Sequence, residues 1–300
     1  MAHSETTAHS FRRMAENDAE ASQQYVFSDN RYTGLMEFLA DRIDLPQARV
    51  LDLGCGAGVV TRGLAGSAQK AIGIDGNGDN VALARRYADE QGLDNIEFMH
   101  ASADDLPLES RSLDLVLLNG VLEWVGVNGE GVDPRQKQIK VLREVLRVLR
   151  PGGVLYVGIE NRFHPGTLWR DPHTQMTLVN ALPRRMANVW ARRYGASRYQ
   201  TYIYGHRKSA ALLREAGFSR VDKFVPFPSY QFPVAFIRLG SRAQTLADVD
   251  AIDVERVRGV MRDSGRADDI EAAVRAVRQR ALLGVLGLVA HDHAFIATKR

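Results

Sequence analysis

A single cysteine, Cys55, stands in 300 residues. That excludes an intramolecular disulfide framework and any zinc site built from cysteines. Long hydrophobic runs are missing as well. The longest, Ala281–Ala290, carries two glycines and falls well short of the roughly 18 apolar residues of a membrane span. The N-terminal stretch Met1–Ser10 is polar, lacks the apolar core of a signal peptide and is expected to be disordered. A cytoplasmic protein is the corresponding expectation. Charge of one sign is scarce too: 39 basic against 36 acidic side chains leave a net +3, too little to argue for a nucleic-acid partner. No internal repeat or low-complexity tract appears. With 45% hydrophobic and 25% charged residues, the composition is that of a globular protein able to bury a substantial core.

What the chain does have is concentrated at Val50-Leu51-Asp52-Leu53-Gly54-Cys55-Gly56-Ala57-Gly58. Its first half reads as a short buried strand broken by one acid, and its second half as a tight glycine loop opening a helix at Val59. Glycines let the backbone approach a ligand, and a helix N-terminus offers unpaired N–H groups. The spacing is G-x-G-x-G; the third position of the dinucleotide fingerprint G-x-G-x-x-G falls on Val59. A second strand, Ala71-Ile72-Gly73-Ile74-Asp75, also ends in an acid. An acid there suits two ribose hydroxyls, while Asp52, directly or through water, suits a ligand ammonium. Cys55 fits the loop as a small buried side chain and is given no nucleophilic role.

These two segments resemble the first and second motifs of the class I S-adenosylmethionine-dependent methyltransferases. The resemblance implies a doubly wound, mostly parallel α/β sheet of the Rossmann-like methyltransferase kind, with S-adenosylmethionine as cofactor. It places Asp52, Gly54, Cys55, Gly56, Gly58, Asp75 and Gly76 around that cofactor. Ala101-Ser102-Ala103-Asp104-Asp105-Leu106-Pro107-Leu108 resembles the family's G-D-A-x-x-L-P-F turn at adenine, with Ser102 where the aspartate usually stands. Adenine contact is therefore expected from Ser102, from Asp104 in its place, and from the backbone of Ala103. Leu149-Arg150-Pro151-Gly152-Gly153-Val154-Leu155 is a further family mark.

The rest of the chain fits that frame. Helical spacing predicts helices over 11–25 and 32–43, covering the sheet. A helix over 80–91, capped by Asp79 or Asn80 and stopped by Gly92, precedes a strand over 95–100. Leu113–Asn119 reads as the fourth strand, and its end near the switch point should turn Asn119 toward the cofactor. Trp124 either caps the cofactor or simply packs. An amphipathic helix over 136–150 and a fifth strand over 154–160 follow. The segment 161–208 reads as an insertion outside the sheet. Beyond it come a helix over 209–216, a strand near 220–225, an apolar stretch to Leu239, helices over 243–264 and 267–289, and an edge strand over 294–299. One domain is expected over 11–300, with 11–47 as helical cover, 48–160 as cofactor core, 161–208 as lid and 209–300 as the remainder with added helices.

The insertion carries the substrate signal. No Asp or Glu occurs from Pro172 to Arg214, a span that holds Arg184, Arg185, Arg192, Arg193, Arg198, Arg207, Lys208 and Arg214 with Trp190 and four tyrosines between them. Arginine forks grip phosphate or carboxylate, and aromatic faces stack on sugars or bases. Arg192, Arg193, Tyr202 and Tyr204 are thus candidate binders of an anionic, hydroxyl-rich acceptor. The alternative is an amphipathic helix over 183–194 whose basic face is wet. Transfer to a hydroxyl requires a base, and histidine suits it. His173, beside Asp171 in Asp171-Pro172-His173-Thr174, is the first candidate and His206 the second. No metal is expected, since the histidines show neither an i, i+4 pair nor a nearby acid cluster in sequence.

Gly158-Ile159-Glu160-Asn161-Arg162, Asp171–Thr174 and Phe227-Pro228-Ser229-Tyr230-Gln231-Phe232-Pro233 resemble bacterial methyltransferases of polysaccharide, lipopolysaccharide or glycolipid assembly. The leading expectation is an O-methyltransferase acting on a sugar or glycolipid-like hydroxyl. The runner-up is an O-methyltransferase of a small natural product or quinone-like acceptor. A non-catalytic cofactor-binding partner in an assembly complex is the alternative from another class. A nucleic-acid methyltransferase is disfavoured, because the fourth strand ends Leu118-Asn119-Gly120 instead of running into the N-P-P-Y-like signature of base methylation. Peripheral membrane contact stays open, and the oligomeric state is not readable.

Overall fold

A computed structural model describes residues 29–125, 133–171, 173–196, 199, 201–262 and 270–300. The stretch 1–10 and the helix expected over 11–25 lie outside the described residues. The apolar run Arg49–Leu53 forms β1, Lys70–Asp75 β2, Ile96–His100 β3, Leu113–Asn119 β4 and Leu149–Glu160 β5. Arg220–Phe227, Ala235–Arg238 and Asp292–Thr298 add β6, β7 and β8. They make one eight-stranded sheet in the order β3-β2-β1-β4-β5-β8-β6-β7. The pairs β1–β2, β2–β3, β1–β4 and β4–β5 are parallel. The chain order reverses between β1 and β4, so the crevice beyond their carboxyl ends is the switch point where ligands sit in such sheets.

Side-chain alternation along the strands explains the two layers of core. Leu51, Leu53, Val116, Leu118, Leu155 and Val157 pack on one face, against Ile139, Leu142 and Val145. Val50, Leu115, Leu117 and Tyr156 pack on the other, with Leu35, Leu39, Val60 and Leu64. Each fully buried side chain of this size contributes about 1.5–3 kcal/mol. The second face is covered by helices Thr33–Ala40 (α1) and Val59–Ala65 (α2). Gly78–Glu90 (α3) is capped by Asn77, whose side chain accepts from the Asp79 N–H, and not by the expected Asp79 or Asn80. Pro134–Val148 (α4) starts at Asp133, which accepts from the N–H groups of Arg135 and Gln136. Proline at the first helical position fits there because its missing N–H would be unpaired anyway.

Two expectations change. The last strand is not an edge: β8 runs antiparallel between β5 and β6. Its Ala294-Phe295-Ile296-Ala297 core is buried on both faces, the pattern of a central strand. The edge is instead β7. The C-terminal helices are shorter and more numerous than the periodicity suggests: Arg242–Asp250, Val254–Arg262, Ile270–Leu282 and Leu286–Val289.

The insertion contains no strand among its described residues. It is built from short helices Pro165–Trp169 and Arg184–Arg192 and a 3-10 turn Val179–Ala181, before the helix His206–Ala216. Its organising group is Asp171, fully buried. That carboxylate accepts from the N–H groups of His173 and Thr174, the Thr174 hydroxyl, Asn180 Nδ2 and the Tyr199 hydroxyl. A buried carboxylate is tolerable only with such a set of donors. Met176, Val179, Ala187, Ala191 and Tyr199 form a small core around it. Asn161 then ties the insertion to the C-terminal helices, donating to the carbonyls of Leu288 and Ala290.

Candidate active site

The glycine loop adopts backbone angles that glycine alone tolerates readily: φ is 82° at Gly54, 53° at Gly56 and 77° at Gly58. A Cβ on Gly54 would collide with Val121, whereas one on Gly56 or Gly76 would meet nothing within 4 Å. The loop is therefore packed on one side and open on the other. Gly58 caps α2 without a side-chain bond, leaving that helix start to a ligand. Asp75 stands at the end of β2, where its carboxylate accepts from the Gly56 and Asn77 N–H groups at 2.9 and 2.8 Å. Asp52 lies beneath the loop, 3% exposed. It accepts from the Thr61 hydroxyl at 2.7 Å, and burial pushes its carboxyl up to about 6. Cys55 is buried and burial pushes its thiol far up, which accords with a packing role.

The adenine turn is wired differently from either side-chain expectation. The Ser102 hydroxyl donates to Asp104, and Lys137 and Lys140 both lie 3.0 Å from the same carboxylate. The Ser102 bond first, then the two lysines, hold Asp104 well below the usual carboxylate range. Its charge is thus occupied within the protein, which leaves the backbone at Ala103 as the contact that needs no rearrangement. Asn119 ends β4 with its Oδ1 buried and without a hydrogen-bond partner among the described residues. Gly158 makes room for it, since a Cβ there would strike that oxygen. An orphan acceptor, an open glycine cradle and a free helix start fit a ligand rich in N–H donors and hydroxyls. These residues fit S-adenosylmethionine.

Beyond Asn119 the chain turns at Gly120 into Glu123, and a second cluster begins. Glu123 is fully buried, and neither of its carboxylate oxygens has a hydrogen-bond donor among the described residues. Glu160, at the end of the neighbouring β5, receives the Tyr230 hydroxyl on Oε1 at 2.8 Å. Its Oε2 lies 3.5 Å from His173 Nε2. Asp292 in turn accepts from the Tyr230 N–H at 3.1 Å, fixing the tyrosine. Trp124 stands edge-on to His173 with ring centroids 4.5 Å apart. Burial, then the charge of Glu160, push Glu123 well above the ordinary carboxylate range. For Glu160 burial works upward, but contact with His173 outweighs it and the net direction is down. Burial would lower His173, yet Glu160 raises it overall.

His173 is thus held by two acids in different ways. Asp171, its expected partner, takes the backbone N–H, while the ring faces Glu160. The acids near a histidine, invisible in linear spacing, are brought there by the sheet: a ligand atom from each of Glu123, Glu160 and His173 lies within 4.8 Å of the others. Glu123, Glu160 and Tyr230 are the site residues that sequence reasoning passed over. Position was the available signal, since Glu160 ends a strand and Glu123 follows one near the switch point.

His206 does not join them. Its ring lies 5.4 Å from that of His293, and it lines a cavity of about 690 Å³ with Arg207, Lys208, Lys223 and Arg242. This cavity contains no residue of the cofactor loop or the Glu–His cluster, so the site is located by its donors and acceptors. Arg192 and Arg193 are exposed, while Ala187 and Ala191 of the same helix are buried. Their basic face is wet, and they do not line the cluster. Arg184 donates to the carbonyls of Thr201 and Tyr199 and lies 3.5 Å over the Tyr202 ring. Tyr202 packs edge-on to Tyr204, and its N–H donates to the Glu123 carbonyl. These two tyrosines back the cluster's wall.

The family model described as "Methyltransferase domain" matches residues 51–157. Among curated relatives, the demethylmenaquinone methyltransferase of Lactococcus lactis subsp. lactis is 34% identical over 37% of this chain and 41% of its own length. The ubiquinone biosynthesis O-methyltransferase of Xanthomonas campestris pv. campestris (strain B100) is 30% identical over 48% of this chain and 56% of its own. The chain thus spans about half the length of the curated relatives it matches. Among solved structures, the [4+2]-cyclase SpnF superposes with a TM-score of 0.53 at 20% identity, covering 96% of this chain and 94% of that one, which shows the fold. No helix among the described residues is long and apolar enough to cross a membrane. The glycine loop, Asp75 and the crevice at the strand switch all lie within or beside residues 51–157, the stretch that matches the Methyltransferase domain.

Proposed function

We propose that the whole chain is an O-methyltransferase that uses S-adenosylmethionine and acts on a hydroxyl held against the Glu160–His173 pair. The observation that carries this reading is continuity. Asn119, the last residue of β4 at the cofactor crevice, is joined to Glu123, in the buried cluster, by a single short turn. When bound, the cofactor supplies a methyl group made electrophilic by its sulfonium. The protein holds the acceptor, excludes water and takes the hydroxyl proton. His173 is the group in the cluster whose ordinary pKa lies near neutrality, and Glu160 stabilises the charge that the proton brings. Positioning can lower the barrier by about 7–11 kcal/mol.

The three segments that resemble glycan and glycolipid methyltransferases supply Glu160, His173 and Tyr230, which meet in one place. That convergence supports a sugar or glycolipid-like hydroxyl as acceptor. Arg192 and Arg193 lie on an exposed face away from the cluster, so this reading does not use them. The printed names of two relatives favour a second reading, a quinone-like phenol. Their likeness is confined to about half of each chain.

Incubation with methyl-labelled cofactor and separate glycolipid, sugar and quinone-precursor fractions tests both. Label on a sugar oxygen is the expected result. Label on a phenolic oxygen selects the second reading, and label only on amines overturns O-methyl transfer. Titration with S-adenosylhomocysteine reports the cofactor site independently.

A further inference from the structure

We propose that Glu123, Glu160 and His173 form a site for one divalent cation, with Tyr230 as its outer support. The inference deepens the reading of the same cluster, but it stands on the protein's own unpaired atoms. Both Glu123 oxygens are buried without a hydrogen-bond donor among the described residues, and the buried Glu160 Oε2 and His173 Nε2 meet only each other, at 3.5 Å, longer than a good hydrogen bond. Leaving such atoms unpaired costs about 1–3 kcal/mol each, and more when they are charged. A proton shared between the two carboxyl groups satisfies one oxygen of each. It leaves the second Glu123 oxygen without a donor and the His173 nitrogen with only its 3.5 Å contact to Glu160 Oε2. A cation meets all of these atoms at once.

The geometry is close to what an ion requires. Donor atoms from the three residues lie within 4.8 Å of one another. Ligands bound at about 2.1 Å stand roughly 3–4 Å apart around a common ion, so contraction by an ångström or so closes the site. The surrounding bonds already aim the donors. Tyr230 occupies Glu160 Oε1 and turns Oε2 inward, and Asp292 holds Tyr230 through its N–H. Asp171 fixes the backbone of His173, and Tyr202 donates to the carbonyl of Glu123. Outer partners of this kind orient metal ligands in established sites. Two carboxylates and an imidazole suit Mn²⁺, Fe²⁺ or Zn²⁺ better than Ca²⁺. Three protein ligands are also the number that leaves coordination positions for a substrate oxygen. A hydroxyl bound there loses its proton more readily. With the ion bound, His173 would serve as a ligand in place of its role as base, and the hydroxyl proton would pass to solvent as the acceptor enters.

The test uses the full chain, stripped with a chelator and dialysed against Mn²⁺ alone. The bound ion is counted by elemental analysis and its affinity read from the loss of the free-ion electron spin resonance signal. One Mn²⁺ per chain is expected, displaced by Zn²⁺. Glu123→Gln, which keeps the side-chain shape, should weaken binding at least tenfold. Tyr230→Phe should weaken it about 10-fold through the outer shell. Binding of S-adenosylhomocysteine is measured in the same samples, so failure of the cofactor reading and failure of the ion site are separately visible. No stoichiometric Mn²⁺ in the wild-type chain overturns the proposal, as does undiminished binding in a folded Glu123→Gln protein. Should His173→Gln fail to fold, Glu123→Gln and Tyr230→Phe still decide.

Discussion

The two acids that frame the cofactor loop, Asp52 and Asp75, come from two adjacent parallel strands. The buried cluster a few residues beyond Asn119 is assembled otherwise. It takes Glu123 from the turn after β4, Glu160 from the end of β5, His173 from the insertion, and Tyr230 from the turn between β6 and β7. The acids of the first region are bonded within the protein, Asp75 to Gly56 and Asn77 and Asp52 to Thr61, while Asn119 Oδ1 at the crevice has no hydrogen-bond partner among the described residues. The second keeps buried polar atoms unpaired. Locally built sites can be complete before a ligand arrives, whereas a site collected from distant segments can hold unpaired groups because the rest of the fold supports them.

The contrast can be broken most decisively at His173. His173→Gln should lower kcat by about 10²–10⁴ and leave the Kd for S-adenosylhomocysteine within a factor of two. A comparable loss of cofactor affinity would show that the two regions are not separable. The converse is Asp75→Ala, expected to weaken S-adenosylhomocysteine by about 10–100-fold, as loss of hydrogen bonds to a charged group does. Calorimetric titration reads that change.

A third test concerns stability and separates Asp52 from its surroundings. Its folded-state carboxyl is raised by burial from 3.8 to about 6. The native protein therefore binds a proton more tightly than the unfolded chain does. The corresponding stability is fully present below pH 3.8 and is lost as pH rises toward 6, by about 3 kcal/mol. Asp52→Asn should flatten that part of the stability profile in urea unfolding between pH 4 and 6.5; an unchanged slope would assign it to other groups. The smallest effect is expected on the exposed face of the insertion. Reversing charge at Arg192 and Arg193 should change stability by no more than about 0.5 kcal/mol and leave the acceptor KM within about twofold. A large rise in KM would return the anion-binding role to that helix.

Legibility followed the same division. The loop Gly54–Gly58, the acid inside β1 and the acid ending β2, and the amphipathic helix before β5 were readable because each is a short-range pattern. Positive φ needs glycine, a buried parallel strand needs an apolar run, and a helix face needs its period. The Ser102–Asp104 pairing escaped because the lysines that complete it sit on α4, across a strand. The last strand was taken for an edge because a six-residue apolar run does not say whether one neighbour or two will cover it. His173 was identified by residue type, but its partner was assigned by proximity in sequence to Asp171. The fold uses Asp171 for the backbone and Glu160 for the ring.

Sequence alone determined the cofactor half, since steric freedom at glycine and the placement of one acid per strand are properties of neighbouring residues. Only tertiary structure decided what faces the acceptor. The parallel pairing of β4 with β5 brings Glu123 beside Glu160, and the buried carboxylate of Asp171 folds the insertion so that His173 closes the triangle. Those contacts depend on strand order and on burial, and neither is written in the spacing of the residues that make them.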